Sequence, residues 1–289
     1  MIPARHPPRK RFGQNFLVDR HYVERIIAAV DPAPDDNVVE IGPGLGALTR
    51  PLLDRVKRLT VIEIDRDLAA RLSDEFTPDR LRMHNVDALT FDFATLGEEL
   101  RVIGNLPYNI SSPMLFHLAH YEANLRDMTV MLQREVVQRM AAAPATPDYG
   151  RLSVMLQTRF KIERLFIVPP GAFRPTPLVD SAIARLTPLK RGRPKIDDEA
   201  LFARVVAAAF GQRRKTLKNA LKLLATAEEL EREGIAPGAR GETLAVTDFV
   251  RLANALAPDA LANPICCRAC VSAPRYAPAS CVRTRRAEV

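Results

Sequence analysis

Cysteine, tryptophan and long apolar runs are scarce or absent in the 289-residue sequence. There is no tryptophan, and the four cysteines all lie near the carboxyl terminus, at Cys266, Cys267, Cys270 and Cys281. A core without cysteine needs no disulfides and suits a reducing compartment. No run approaches the ~18 apolar residues of a membrane-spanning helix, and the amino terminus lacks the apolar core of a signal peptide. These absences predict a cytoplasmic protein without a membrane segment.

Charge is the main compositional bias. The chain carries 42 Lys and Arg against 34 Asp and Glu, which gives a formal net charge of +8 at pH 7. Hydrophobic residues make up 47% of the sequence, as in ordinary globular proteins. The length suits about two domains. An excess of positive charge favours a polyanionic partner such as nucleic acid or an anionic surface. A basic enzyme without such a partner is the alternative.

A glycine-rich turn follows the first predicted strand, residues 38–41. Gly42, Gly44 and Gly46 lack Cβ atoms where the chain must turn sharply, so a ligand can lie against bare backbone. The spacing matches only half of the dinucleotide fingerprint and argues against a nicotinamide dehydrogenase. Glu40, just before the turn, favours a ligand with a positively charged end. A plain tight turn is the alternative.

Strands and helices alternate through most of the chain, which predicts a doubly wound, mostly parallel α/β sheet. The predicted strands cover residues 38–41, 59–65, 81–85, 100–104, 128–132, 162–168 and 181–186. The predicted helices between them cover residues 20–30, 66–76, 134–143 and 151–160, with a further helical stripe at 48–56. In such a sheet, ligands bind beyond the carboxyl ends of the strands.

The composition changes at residues 188–194, which are rich in Pro, Lys and Arg and read as a linker. Helical periodicity without a convincing strand follows, and we predict helices over residues 197–210, 215–225 and 247–257. The predicted organisation is a sheet domain over residues 1–188 with a basic amino-terminal arm, a smaller helical domain over 195–262, and a disordered tail over 263–289.

Acidic residues end the second and third predicted strands. Glu63 follows Gly44 at close to the ~20-residue spacing at which an acidic residue reaches a ribose hydroxyl. Glu63 and Asp65 share a strand face by period-two alternation, so either can do this. Asp87 ends the next strand, where its carboxylate can accept the amine of a bound adenine. A helix cap or a surface acid is the alternative for each residue taken alone.

Asn105-Leu106-Pro107-Tyr108 follows the fourth predicted strand and is suited to methyl transfer to an adenine amine. That amine is a poor nucleophile because its lone pair is conjugated into the ring. The Asn105 side-chain carbonyl and the Leu106 main-chain carbonyl can accept its hydrogens and localise the lone pair. Tyr108 offers a face for a flipped-out base, a stacking contact worth roughly 1–3 kcal/mol. Phe173 is the candidate for the opposite face; a buried loop anchor is its alternative.

These motifs occur in one order and resemble the ribosomal RNA adenine N6-dimethyltransferase family. The matching segments are FGQNFL (12–17), EIGPGLG (40–46), EID (63–65), DA (87–88), NLPYNIS (105–111) and FRPTPLVDS (173–181). The segment FGQRRKTLKN (210–219) resembles the bacterial small-subunit branch of that family. The resemblance covers roughly residues 9–257.

The resemblance implies a Rossmann-like class I methyltransferase sheet, a smaller all-helical carboxyl-terminal domain and S-adenosyl-L-methionine as cofactor. The implied reaction is N6-dimethylation of two adjacent adenosines in a hairpin loop near the 3′ end of 16S rRNA, in the immature small ribosomal subunit late in assembly. With Gly44 added from the glycine turn, the expected cofactor-binding residues are Asn15, Leu17, Gly42, Gly44, Glu63, Asp87 and Asn105. By analogy, Glu63 holds the ribose and Asp87 the adenine. The expected catalytic residues are Asn105, Leu106, Tyr108 and Phe173.

Basic residues are the candidates for rRNA phosphate contacts, with a solvated charged face as the alternative. They are Arg9, Lys10, Arg11, Arg213, Arg214, Lys215, Lys218 and Lys222. We expect a monomer, since no coiled-coil heptads occur. We expect no metal, because Cys266-Cys267-x-x-Cys270 with Cys281 lacks a clean second pair.

Two other functions remain as alternatives. A large-subunit rRNA or DNA adenine methyltransferase is disfavoured by the 210–219 segment and the helical domain. A non-catalytic ribosome-assembly or transcription factor is disfavoured by the intact 105–108 turn and the acidic strand ends.

Overall fold

The computed structural model of the chain describes residues 14–212 and 214–257. Its strands are β1 (Phe16–Leu17), β2 (Asn37–Ile41), β3 (Leu59–Ile62), β4 (Leu81–His84), β5 (Leu100–Asn105), β6 (Leu125–Gln133), β7 (Phe160–Val168), β8 (Phe173–Arg174) and β9 (Ser181–Pro188). Its α-helices are α1 (Arg20–Val30), α2 (Thr49–Leu53), α3 (Arg66–Glu75), α4 (Ser111–His120), α5 (Arg134–Met140), α6 (Arg151–Gln157), α7 (Glu199–Gly211), α8 (Leu217–Ala220), α9 (Ala227–Arg232) and α10 (Val246–Leu256). Predictions for residues 1–13, Arg213 and the tail lie outside the described residues.

Seven strands form one sheet in the order β4-β3-β2-β5-β6-β9-β7. The first five in that order are parallel, whereas β9 pairs antiparallel with both β6 and β7. The direction of winding reverses between β2 and β5, which opens a crevice at the carboxyl ends of these neighbouring strands. The predicted Rossmann-like α/β class is confirmed.

Both faces of the sheet are buried, which explains the nearly continuous apolar runs of its parallel strands. Neighbouring residues of β2 enter different apolar clusters: Val38 packs on one face and Val39 on the other. Helix α1 covers the Val38 face with Ile26 and Ile27. Asp19 begins this helix by accepting the N–H of His21 at 2.9 Å. The predicted apolar stripe of α1 therefore packs against the sheet.

A second, two-stranded sheet was not predicted. Strand β1 pairs antiparallel with β8, so Phe16 faces Arg174 and Leu17 faces Phe173. Two residues are too few for a period-two pattern, so the sequence gives no signal for either strand. The pairing ties the segment before α1 to the loop before β9.

Helices α7 to α10 enclose a third apolar cluster around Phe202, Leu217 and Phe249. Tyr149 and Val154, from the region of α6, belong to the same cluster. The helix expected over 215–225 is limited to α8, and a new helix starts after Thr226, whose hydroxyl accepts the Glu229 N–H. The described residues form one compact unit, and the boundary between a sheet domain and a helical domain stays a prediction. Within the described ranges, no helix has the length and hydrophobicity to cross a bilayer.

Arg101 lies inside the central strand β5 and is only 5% exposed. Its guanidinium donates to Asp36 at 2.7 Å, to Asp127 at 2.8 Å and to the main-chain oxygen of Val30 at 2.7 Å. Burial raises the pKa of Asp36, but its hydrogen bonds and the nearby arginines lower that pKa by more, so the net shift is downward. A buried cation with several anionic and carbonyl partners satisfies its donors and ties α1 to β5 and β6.

Gly104, near the end of β5, permits the close pairing of β5 with β2. A Cβ added there would lie 2.5 Å from the main-chain oxygen of Ile41, which is fixed in the ladder. We expect Gly104→Ala to lower the free energy of unfolding by about 2 kcal/mol, as overpacking does. Urea denaturation followed by circular dichroism measures this change. Gly171→Ala is the control, because nothing lies within 4 Å of its Cβ; equal stability of both variants would contradict the steric argument.

Candidate active site

A cavity of about 320 Å³ lies beyond the carboxyl ends of β2, β3, β4 and β5. All seven residues expected to bind a cofactor line it: Asn15, Leu17, Gly42, Gly44, Glu63, Asp87 and Asn105. Three of the four expected catalytic residues line it as well: Asn105, Leu106 and Tyr108. The crevice between β2 and β5 thus brings together motifs that are far apart in the sequence.

The glycine turn forms the floor of the cavity. Gly42, Gly44 and Gly46 have φ angles of +67°, +56° and +79°, in the left-handed region that side chains disfavour. A Cβ on Gly44 would lie 3.0 Å from the ring of Phe16. The amino-terminal segment therefore lies directly on the bare backbone of the turn, and it contributes Asn15 and Leu17 to the cavity wall.

Glu63 and Asp65, which the sequence could not tell apart, occupy different positions. The Glu63 carboxylate accepts the N–H of Gly44 at 3.2 Å and that of Asp65 at 2.9 Å, and Glu63 lines the cavity. Burial raises its pKa, and these N–H groups oppose the rise. Asp65 is fully buried and caps α3 by accepting the N–H of Asp67 at 3.1 Å. Glu63 is therefore the acid placed to meet a ligand over the glycine turn.

Glu40 lies at the base of the cavity and is only 2% exposed. Burial raises its pKa to about 8, the nearby Glu63 adds to the rise, and Thr49 and Arg50 oppose it. The Thr49 hydroxyl donates to its carboxyl group at 2.7 Å. The raised pKa favours the protonated form of Glu40, and its contact with the positively charged end of a ligand stays a prediction.

Asp87 is half-buried at the turn after β4. One oxygen of its carboxylate accepts the N–H of Leu89 at 2.9 Å, which fixes the side chain against the turn. The exposed Ile64, which was not predicted as a site residue, also lines the cavity. A carboxylate beside an apolar side chain is suited to a flat heterocycle with an exocyclic amine.

Two hydrogen bonds restrain the 105–108 turn, whose residues line the cavity. The Asn105 side-chain nitrogen donates to the main-chain oxygen of Asn15 at 2.9 Å, so the carboxamide cannot rotate freely. Leu106 is fully buried, and its N–H donates to Met131 O at 3.1 Å. These bonds leave the Asn105 carboxamide oxygen on the side away from Asn15, as an acceptor.

Tyr108 is half-buried and lines the cavity. Its hydroxyl lies 2.7 Å from Ser181 Oγ at the start of β9, and burial raises its pKa. The hydrogen bond fixes the ring against the sheet. Ser181 was missed as a site residue, although it ends the 173–181 motif.

Phe173 does not line the cavity. Its side chain is fully buried in the same apolar cluster as Leu17 and Ile183. Pairing of β8 with β1 accounts for this burial, because Leu17 lies opposite Phe173. In this structure Phe173 anchors the loop, and its stacking role stays a prediction.

The basic residues expected to contact RNA are partly described. Arg214, Lys215, Lys218 and Lys222 are exposed, around and after the short helix α8. Arg9, Lys10, Arg11 and Arg213 lie outside the described residues. Within residues 14–212 and 214–257, no group of His, Cys, Asp and Glu is arranged to hold a metal ion.

Sequence comparison gives one consistent family. A family model described as ribosomal RNA adenine dimethylase matches residues 5–258. The chain is 59% identical over 263 residues to ribosomal RNA small subunit methyltransferase A of Aromatoleum aromaticum, which covers 90% of this chain and 99% of that protein. It is 57% identical over 252 residues to the protein of the same name from Thiobacillus denitrificans, covering 87% and 99%.

Solved structures give the same fold. A dimethyladenosine transferase from Plasmodium falciparum superposes with a TM-score of 0.72 at 24% identity, covering 82% of this chain and 95% of that one. The 23S rRNA methyltransferase ErmE superposes with a TM-score of 0.63 at 31% identity, covering 84% and 99%.

Glu63 and Asp65 can be separated by conservative amide variants. Glu63→Gln removes the charge and one of the two acceptors that face Gly44 and Asp65, and hydrogen bonds to charged groups are worth ~1.5–3 kcal/mol. We expect the dissociation constant of S-adenosylmethionine, measured by calorimetry, to rise at least about tenfold.

Asp65→Asn is the matched control, because Asn caps a helix as well as Asp does. We expect its affinity for the cofactor to stay close to that of the unchanged chain. The opposite ranking of the two variants would assign the ribose contact to Asp65.

The raised pKa of Glu40 has a consequence for stability. Burial raises the pKa of Glu40 in the folded chain to about 8, whereas a glutamic acid in the unfolded chain titrates near 4.5, so between these pH values the folded chain keeps a proton that the unfolded chain releases. The stability from this group is complete below about pH 4.5 and is lost as pH rises through about 8. We expect the melting temperature of the unchanged chain to fall, relative to Glu40→Gln, between about pH 5 and about pH 8. A difference in melting temperature between the two proteins that does not change with pH would contradict the raised pKa of Glu40.

Proposed function

The chain belongs to the ribosomal RNA adenine dimethylase family, and on that premise we propose that it dimethylates the N6 amines of two adjacent adenosines near the 3′ end of 16S rRNA. It is an S-adenosylmethionine-dependent rRNA adenine dimethyltransferase. The proposed target is a hairpin loop in the immature small ribosomal subunit, late in assembly. The proposed working form is a monomer in the cytoplasm.

The observation that carries the proposal is the fixed carboxamide of Asn105 at the edge of the cavity. S-adenosylmethionine, when bound, supplies an electrophilic methyl group on a sulfonium. The residues suited to hold this cofactor are the glycine turn, Glu63 at the ribose and Asp87 at the adenine. The cavity volume and its mixture of bare backbone, carboxylates and apolar side chains fit such a nucleoside.

The protein orients the reacting groups and forms no covalent intermediate with the methyl group. The oxygens of Asn105 and Leu106 accept the hydrogens of the target amine, which directs its lone pair toward the methyl group. Tyr108 stacks on the extruded base, and its hydroxyl bond to Ser181 keeps the ring in place. A neutral acceptor at Asn105 suits two rounds of transfer, because only one hydrogen remains after the first methyl group is added.

The exposed cations around α8 support rRNA as the substrate. Arg214, Lys215, Lys218 and Lys222 are exposed around and after α8, where they can contact phosphates. High identity to relatives named small subunit methyltransferase A supports the small subunit as the target. Similarity to a 23S rRNA methyltransferase makes the large subunit the alternative substrate.

Mass analysis of methylated RNA tests the proposal directly. Small subunits lacking the modification, large subunits and DNA are each incubated with the protein and isotope-labelled S-adenosylmethionine. We expect dimethyladenosine at two adjacent positions near the 3′ end of 16S rRNA. Label confined to large-subunit RNA or to DNA would overturn the substrate assignment.

Tyr108 variants provide the internal control for this assay. Tyr108→Ala removes the stacking face and is expected to lower the rate by roughly tenfold or more. Tyr108→Phe keeps the face and loses only the bond to Ser181, so we expect a smaller loss. Equal rates for both variants would exclude stacking on Tyr108.

A further inference from the structure

The loop between β8 and β9 exposes an apolar side chain three residues before Ser181, the hydrogen-bond partner of Tyr108. Leu178 has the highest exposed fraction among the large hydrophobic residues of the described ranges, at 101%, and Val179 next to it is 44% exposed. Exposed leucines are common and carry no meaning alone. The position of Leu178 and the anchoring of its loop set it apart.

The loop is held on both sides of Leu178. Pro177 is buried directly before it, and proline fixes the backbone at 175 and 177. After it, the oxygen of Asp180 accepts the N–H of Arg134 at 2.9 Å, and the two side chains pair at 3.3 Å. The loop therefore keeps Leu178 extended into solvent, where a freely moving loop would let it fold back onto the surface.

Chain length limits how far Leu178 can lie from the hydrogen-bond partner of Tyr108. Ser181, three residues later, contacts the hydroxyl of Tyr108. Three residues span at most about 11 Å, so Leu178 lies within that distance of the Ser181 position. Arg174, at the start of the loop, is an exposed cation suited to a phosphate.

We propose that Leu178, with Val179, is a wedge that packs against the base next to the target adenosine and keeps the two unstacked. The inference rests on the proposed function, since an adenosine must leave its stack before its amine can reach Asn105. Apolar side chains inserted between bases serve this purpose in other nucleic-acid complexes. Because the two target adenosines are adjacent, the same wedge can act on each adenosine in turn.

Fluorescence and methylation together test the wedge. A hairpin RNA carries two adjacent adenosines and 2-aminopurine beside them, whose emission rises on unstacking. With Leu178→Ala we expect most of that rise to disappear at saturating protein. We expect kcat/KM on small subunits to fall about tenfold, as for the loss of an apolar contact. The cofactor dissociation constant, measured by calorimetry, should not change.

Two further variants separate wedging from general RNA affinity. Leu178→Lys adds a cation, so it should retain RNA affinity while losing the fluorescence rise. Leu223→Ala truncates another exposed leucine, 88% exposed after α8, and should keep the full rise. Equal losses in the Leu178 and Leu223 variants would overturn the wedge.

The outcomes also distinguish this inference from the proposed function. Normal fluorescence and methylation with Leu178→Ala would overturn the wedge and leave the methyltransferase assignment intact. Absence of methylation by the unchanged chain would overturn the assignment, and the wedge with it.

Discussion

The hydrogen bond from the Asn105 carboxamide to the main-chain oxygen of Asn15 determines what the rest of the site can do. It joins the end of β5 to the segment before α1, and it orients the Asn105 carboxamide, whose oxygen is the proposed acceptor for the hydrogens of the target amine. The segment is itself held by Phe16 against the glycine turn and by the pairing of β1 with β8. The glycine turn, the Asn105 carboxamide and the loop before β9 are therefore all held by a few residues near the amino terminus.

Much of this arrangement was predictable from the sequence because it rests on local rules. Apolar runs ending in Gly42, Glu63, Asp87 and Asn105 predicted strands, and parallel strands present their carboxyl ends at one edge. The observed sheet confirms the fold class, and the family match confirms the predicted family. The roles of the individual site residues stay predictions. Period-two alternation put Glu63 and Asp65 on one face and could not separate them. The difference comes from the start of α3, where Asp65 is used as the cap.

Other features have no local signal. Arg101 interrupts an otherwise apolar strand, and its burial is explained only by its ion pairs with Asp36 and Asp127, which lie far from it in the sequence. The burial of Phe173 depends on the pairing of two strands of two residues each, and the pKa of Glu40 depends on how completely the fold excludes water from it. These properties follow from tertiary packing, which a single sequence does not encode in any short window.

The pairing of β1 with β8 also bears on the order in which the molecule forms. Phe16 and Arg174 meet from opposite ends of the sheet-forming part of the chain. Closing so long a loop costs entropy that a four-residue ladder repays poorly until the larger sheet has brought its ends together. The pairing of β1 with β8 is therefore expected to form late. A newly synthesised chain then passes through a stage in which the seven-stranded sheet is complete and the cavity wall is not.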